Sequence, residues 1–242
     1  MTNFFRFPHT PHLVWLGKGQ PRADKVLAPS EREAILKHEL VIEEKVDGAN
    51  LGFSLNANGD LLVQNRGQYL IPPYTGQFAK LNSWLSRHEN LLFDALDEHL
   101  IAFGEWCAAR HSLAYTALPD WWLLFDVYDK RSGRFFSTLR RNAWAKKAEV
   151  NVVHQIAKGH FTQETLKSLL NTPSCYRQGD LEGIIIRQES DNWLKRRAKL
   201  VRPEFVQSID EHWSRRSIKW NQRTPMPACY APGSLSGDTA RC

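Results

Sequence analysis

An Asn58-Gly59 pair set between Leu51-Gly52-Phe53-Ser54-Leu55 and Leu61-Leu62-Val63-Gln64 is the strongest local constraint in this chain. Asn-Gly accepts the positive-φ backbone of a tight turn, so the two runs are expected to pair as an antiparallel hairpin. Their alternation leaves one face of that hairpin against a core. Other runs also read as strands: Leu40-Val41-Ile42-Glu43-Glu44 ahead of the hairpin, then Ile101 to Trp106, Trp121 to Tyr128, and Ile184-Ile185-Ile186. All are rich in branched and aromatic residues. Helical periodicity runs from Phe78 to about Leu100 through Leu81, Trp84, Leu85, Leu92 and Leu96. Ser137 to Glu149 and Thr162 to Leu170 also read as helices. Ser30 and Glu33 have capping-box spacing, which predicts a short helix through about Glu39. Phe4 to Asp24, with three prolines and two glycines, predicts an irregular arm packed by Phe5, Phe7 and Trp15. Tyr69 to Tyr74 reads as a loop.

The 242 residues suffice for a large core, and no run approaches the roughly 18 apolar residues of a membrane span. The amino-terminal residues lack the pattern of a signal peptide, so the expectation is a cytoplasmic protein with no membrane partner. Cys107, Cys175, Cys229 and Cys242 show neither zinc-ligand nor disulfide-framework spacing and read as free thiols. The net charge of +6 is concentrated: from Arg187 to Arg223 there are ten Lys/Arg against five Asp/Glu. Trp193, Phe205, Trp213 and Trp220 are interleaved with those cations. That combination suits a polyanion carrying bases to stack on, although a solvated basic face has the same composition.

Charged groups placed at or inside apolar strands carry the chemical signal. Lys45 stands at a strand exit before the Asp47-Gly48 turn, where its amine can face a cleft. A nucleophilic amine must be neutral, and burial or a nearby cation favours that form. Glu105 lies within the apolar Ile101 to Trp106 run and, if buried, needs a partner such as a sugar hydroxyl or Arg66. Glu182 enters the Ile184-Ile185-Ile186 strand, and its carboxylate is a natural ligand for a hard divalent ion at phosphate oxygens. Lys195 to Phe205 contains five of the ten cations of the basic stretch.

In order, Lys45-Val46-Asp47-Gly48-Ala49-Asn50, Phe103-Gly104-Glu105, Phe125, Glu182-Gly183-Ile184-Ile185-Ile186-Arg187 and Lys195 to Phe205 resemble the motifs of the covalent nucleotidyltransferases. These are DNA ligases, RNA ligases and mRNA capping enzymes, and the resemblance is nearest to ATP-dependent RNA ligases. It implies an α+β nucleotidyltransferase fold of two mainly antiparallel sheets flanked by helices, with ATP between them and no OB-fold. Residues 1–225 would form that domain and 226–242 a flexible tail. The resemblance further implies that Lys45 attacks ATP to form lysyl-AMP, with Lys199 and Glu182 as the other catalytic groups and Glu182 holding Mg²⁺ or Mn²⁺. Glu44, Arg66, Glu105, Phe125 and Arg197 would surround the nucleotide, Phe125 stacking on the base. The companion of Lys199 is either Arg197 or Arg202, depending on how Lys195 to Phe205 is aligned.

AMP would then pass to an RNA 5′-phosphate, which a 3′-hydroxyl attacks to seal the strand. Asp47, Asn50, Arg202, Arg215, Arg216 and Lys219 are the candidates for contacting RNA. The implied partners are RNA ends and other RNA-repair factors, with the enzyme acting as a monomer. The alternatives are a minimal DNA-nick ligase and a nucleotide- or RNA-binding module that has lost catalysis. A requirement for a 3′-ribose separates the first, and covalent AMP labelling separates the second.

Overall fold

The computed structural model describes residues 4–18, 26–207 and 217–224. Ten strands assemble into two antiparallel sheets. β1 (Leu40–Lys45), β8 (Gln155–Gly159), β9 (Gly183–Glu189) and β10 (Leu194–Val201) form the first, in the order β10-β9-β1-β8. The second holds β2 (Ala49–Leu55), β3 (Leu61–Asn65), β4 (Tyr69–Leu70), β5 (Leu100–Trp106), β6 (Trp122–Asp129) and β7 (Arg134–Phe135), in the order β4-β3-β2-β5-β6-β7. Helices α1 (Pro29–Leu36), α2 (Leu81–Ala95), α3 (Thr138–Lys147), α4 (Gln163–Ser168) and α5 (Pro203–Gln207) flank them. The α+β class expected from the motifs is the one observed.

The β2–β3 hairpin forms in the register the alternation requires, Leu55 opposite Leu61 and Leu51 opposite Asn65. Its turn spans Asn56 to Asp60, with Gly59 at φ +85° and the Asn56 side chain accepting from the backbone N–H groups of Asn58 and Asp60. β5 then pairs with both β2 and β6, and the ladder slips between Phe103 and Gly104. The Trp122 indole fills the space beside Gly104, where a β-carbon would overlap two of its ring atoms. The second sheet, α2 and α3 enclose the larger core, in which Phe53, Trp84, Trp106 and Trp122 are fully buried. Trp122 is thus a core residue, while Tyr128 stacks on Phe5 of the amino-terminal arm.

The first sheet has a simpler logic. Leu40 and Ile42 of β1, Ile184 and Ile186 of β9, and Ala198 and Leu200 of β10 point to one face and form a second core with Leu166 and Leu170. The opposite face of the same strands is charged, and it looks across at the second sheet.

Several local expectations need correction. The first helix starts at Pro29, not after a Ser30 cap: proline fits the first helical position, and Glu31 rather than Glu33 reaches back to the Ala28 N–H at 2.9 Å. The long helix is preceded by a 3₁₀ turn at Gly76–Phe78 and ends at Ala95. β8 had no counterpart in the sequence reading, because its half-exposed residues carry little apolar alternation. Cys107 and Cys175 are free thiols, as expected. Cys229, Cys242, Trp213 and the expected tail lie outside the described residues.

Candidate active site

A cavity of about 370 Å³ lies between the charged face of the first sheet and the central strands of the second. Strand alternation fills it. On β1, Lys45 faces it; on β9, Ile185 and Arg187; on β10, Arg197 and Lys199. The second sheet contributes Asn50 from β2, Glu105 from β5, and Phe125 and Asp126 from β6, with Arg66 just past β3. Asn50 sits directly opposite Glu105 in the ladder, and its buried Oδ1 has no hydrogen-bond partner among the described residues. Phe7, Pro8 and Thr10 of the amino-terminal arm close one side. The arm is fixed to β10 by two bonds, Leu13 N–H to the Lys199 carbonyl and Lys199 N–H to the Pro11 carbonyl, each 2.8 Å.

Lys45 and Glu182 form the central pair. The Lys45 Nζ lies 2.7 Å from both Glu182 carboxylate oxygens, and the lysine side chain keeps 23% exposure. Burial pulls the Lys45 pKa down, but Glu182, Glu105 and Asp47 outweigh it, and the pKa is pushed up to about 12. The expectation that neighbouring cations depress this pKa therefore fails for the ligand-free protein, because the charges that act on the amine are carboxylates. Glu105 is the counterpart: burial drives its pKa up to about 8, with the Lys45 charge opposing.

Beneath the cavity lies a buried ionic network. Arg187 donates to Asp126 at 2.8 Å and to Glu189 at 2.6 Å, and Arg141 contacts Glu43 at 2.7 Å. Asp126 also pairs with Arg197, whose guanidinium lies 4.5 Å from the Phe7 ring and 4.9 Å from that of Phe135. Burial lowers the Arg197 pKa, and the cation still faces the cavity. Charges this deep are tolerable only when paired, and the Asp126 pairs join the two sheets at the cleft floor.

A model of the RNA ligase family matches residues 38–201. The chain belongs to the RNA ligase family. Among solved structures, this family member is similar to Naegleria gruberi RNA ligase. For a variant with ATP and Mn, the TM-score is 0.61 at 14% identity, over 86% of this chain and 59% of that one. For the same ligase with PPi, the TM-score is 0.56 at 16% identity, over 86% and 62%. These similarities bear on the fold, and the chain spans about 60% of the length of those ligases. No curated protein gives a significant match to the sequence.

The structure separates the remaining candidates of this family member. Arg197 and Lys199 line the cavity together, whereas Arg202 is engaged outside it with Asp180 at 2.6 Å and Glu204 at 2.5 Å. Glu44 reaches the wall, but its carboxylate points to the far side, accepting from the Ser174 hydroxyl at 2.5 Å and the Cys175 N–H at 3.1 Å. Asp47 does not line the cavity. It anchors the loop after β5, accepting from the N–H groups of Ser112 at 2.7 Å and Leu113 at 3.0 Å. Arg215 and Arg216 lie outside the described residues, and Lys219 is exposed on the segment 217–224.

Sequence reasoning missed Ile185, Asp126, Glu43, Arg141 and the arm. It also counted Arg187 in a basic surface, although that side chain is only 1% exposed. The period-two pattern of β9 held the missing signal: with Ile184 and Ile186 in a core, Ile185 and Arg187 must face the cleft.

Proposed function

We propose that this chain is an ATP-dependent RNA ligase that joins 5′-phosphate and 3′-hydroxyl ends through lysyl-AMP and RNA-adenylate. The observation that carries the reading is a lysine at the head of a nucleotide-sized cavity that Glu105, Arg197 and Lys199 also line, its amine paired with Glu182. A binding module has no use for an amine held in that position. Phe125 and Ile185 offer apolar surfaces for the base, and Glu105 and Arg66 offer polar contacts to the ribose. Arg197 and Lys199 are placed to balance phosphate charge.

Among the described residues, no group of three His, Cys, Asp or Glu could hold a metal by itself. A single carboxylate supplemented by phosphate oxygens and water is how Mg²⁺ is commonly bound, and Glu182 fits that role. The ion would neutralise developing charge on the phosphates. With its pKa pushed up to about 12, the Lys45 amine rests protonated at pH 7. Nucleophilic attack therefore requires Glu182 to be drawn off the amine, after which burial favours the neutral form. The Lys45 nitrogen then bonds to the α-phosphorus as pyrophosphate departs, and AMP passes to the RNA 5′-phosphate. Loss of AMP accompanies attack by the 3′-hydroxyl.

Among the described residues no helix is long and apolar enough to cross a membrane. We place the enzyme in the cytoplasm, acting on broken RNA. Incubation with α-labelled ATP or GTP and a divalent ion tests the reading: covalent label from ATP, stable to denaturation, is expected. Absence of label over a range of Mg²⁺ and Mn²⁺ concentrations would overturn it.

A further inference from the structure

Outside the cavity, hydrogen bonds lead from Asp47 to a second cationic surface. Asp47 holds Ser112 and Leu113, and the adjacent His111 ring nitrogen lies 2.8 Å from the Gln77 side chain. Three residues further on, Lys80 precedes α2. The segment 217–224 is laid along the same loop: Arg110 N–H donates to the Lys219 carbonyl at 2.8 Å, and Asn221 donates to the carbonyls of Ala108 and Cys107 at 2.9 and 2.8 Å. Trp220 is thereby pinned beside Ala109, four residues after Glu105.

The Lys80 ammonium sits 4.5 Å from the Trp121 ring and 4.6 Å from the Trp220 ring, and Arg223 lies 4.8 Å from Trp121. Asp120 already serves Arg223 and the Trp84 indole. Among the described residues Lys80 forms no ion pair. Burial and the repulsion of Arg223 pull its pKa down, so an anion at this spot would relieve an existing cost. Trp220 remains 40% exposed, as does Ile218. Trp193 has Arg134 at 4.1 Å, Arg140 at 4.4 Å and Phe136 at 5.9 Å, so its surroundings are already filled by the protein's own groups. Trp220, among the described residues, has a single cation over its ring and open surface beside it, which is the condition for stacking a ligand base.

Resting on the ligase reading, we propose that Trp220, Lys80 and Arg223 form a docking platform for the unpaired RNA strand that leads away from the reacting end at Lys45. A base stacks on Trp220, and the flanking phosphates lie against the two cations. Aromatic stacking combined with backbone charge is how single strands are held without reading sequence. The platform reaches the active site through the Asp47 loop, so it acts on strand binding and leaves attack on ATP untouched.

The test uses the full chain, a 5′-phosphorylated single-stranded oligonucleotide and four proteins: wild type, Trp220→Ala, Trp220→Phe and Lys80→Gln. Melting curves check folding, RNA affinity is measured at several salt concentrations, and lysyl-AMP formation is measured separately. Trp220→Ala is expected to lose about tenfold or more in RNA affinity. Trp220→Phe should keep most of it, and Lys80→Gln should flatten the salt dependence by about 0.7 in log–log slope. All should form lysyl-AMP at the wild-type rate. Affinities within twofold and equal slopes in folded variants would overturn the platform while leaving the ligase reading intact. If Trp220→Ala does not fold, the Lys80→Gln slope decides. A wild type that forms no lysyl-AMP would instead refute the ligase reading, and the affinity series would still report on the platform.

Discussion

Replacing Glu182 by glutamine should push two measurements on one variant in opposite directions. In the wild type the amine is held 2.7 Å from both carboxylate oxygens, and its pKa is pushed up to about 12, Glu182 being the first of the charges that raise it. Glutamine is nearly isosteric but uncharged. Burial, which lowers the lysine pKa, then faces only Glu105 and Asp47. A fall merely to the ordinary lysine value of 10.5 would raise the neutral fraction about thirtyfold at pH 8. In nucleotide-free and metal-free protein, acylation of Lys45 by an amine-directed reagent should rise by that order, measured by peptide mass spectrometry with exposed Lys167 as internal reference. Self-adenylylation with ATP and limiting Mg²⁺ should nonetheless fall by orders of magnitude, since an amide is a poor ligand for a hard ion. Unchanged acylation of Lys45 would refute the ion pair as the reason the amine rests protonated. Wild-type adenylylation in the variant would reduce Glu182 to a structural role.

Lys45→Ala and Lys45→Arg should both abolish covalent AMP labelling, because the first lacks an amine and the second stays protonated at working pH; sealing of pre-adenylated RNA should survive. Glu105→Gln should stabilise the ligand-free protein in alkaline buffer. The Glu105 pKa is raised to about 8, so its contribution to stability is greatest below about 4.5 and is lost as pH rises towards 8. The melting-temperature gain of the variant should therefore be present at pH 9 and vanish by about pH 5. Gly104→Ala should cost about 1–3 kcal/mol in urea denaturation, because the Trp122 indole it would strike is tied to the Leu51 carbonyl at 3.0 Å and cannot retreat freely. A midpoint equal to wild type would show that the bulge at Phe103/Gly104 absorbs the methyl group.

The sequence alone determined the apolar strands, the antiparallel hairpin and the ordered motifs, because each is written in short-range patterns: a period of two, an Asn-Gly turn, a charge inside an apolar run; β4, β7, β8 and β10, short or polar, carry no such pattern. Lys45, Glu105 and Glu182 were identifiable because a charge at such a position needs a reason. Tertiary structure decided which charges meet. Burial of Arg187 and Arg197 in one network with Asp126 depends on β9, β10 and β6 converging across the cleft, and their separation in sequence conceals it. The same convergence made Arg197 rather than Arg202 the neighbour of Lys199 at the cavity. It also reversed the expected electrostatics of Lys45, since a pKa follows the charges gathered around a group in space, and three carboxylates, two of them from distant segments, surround this one.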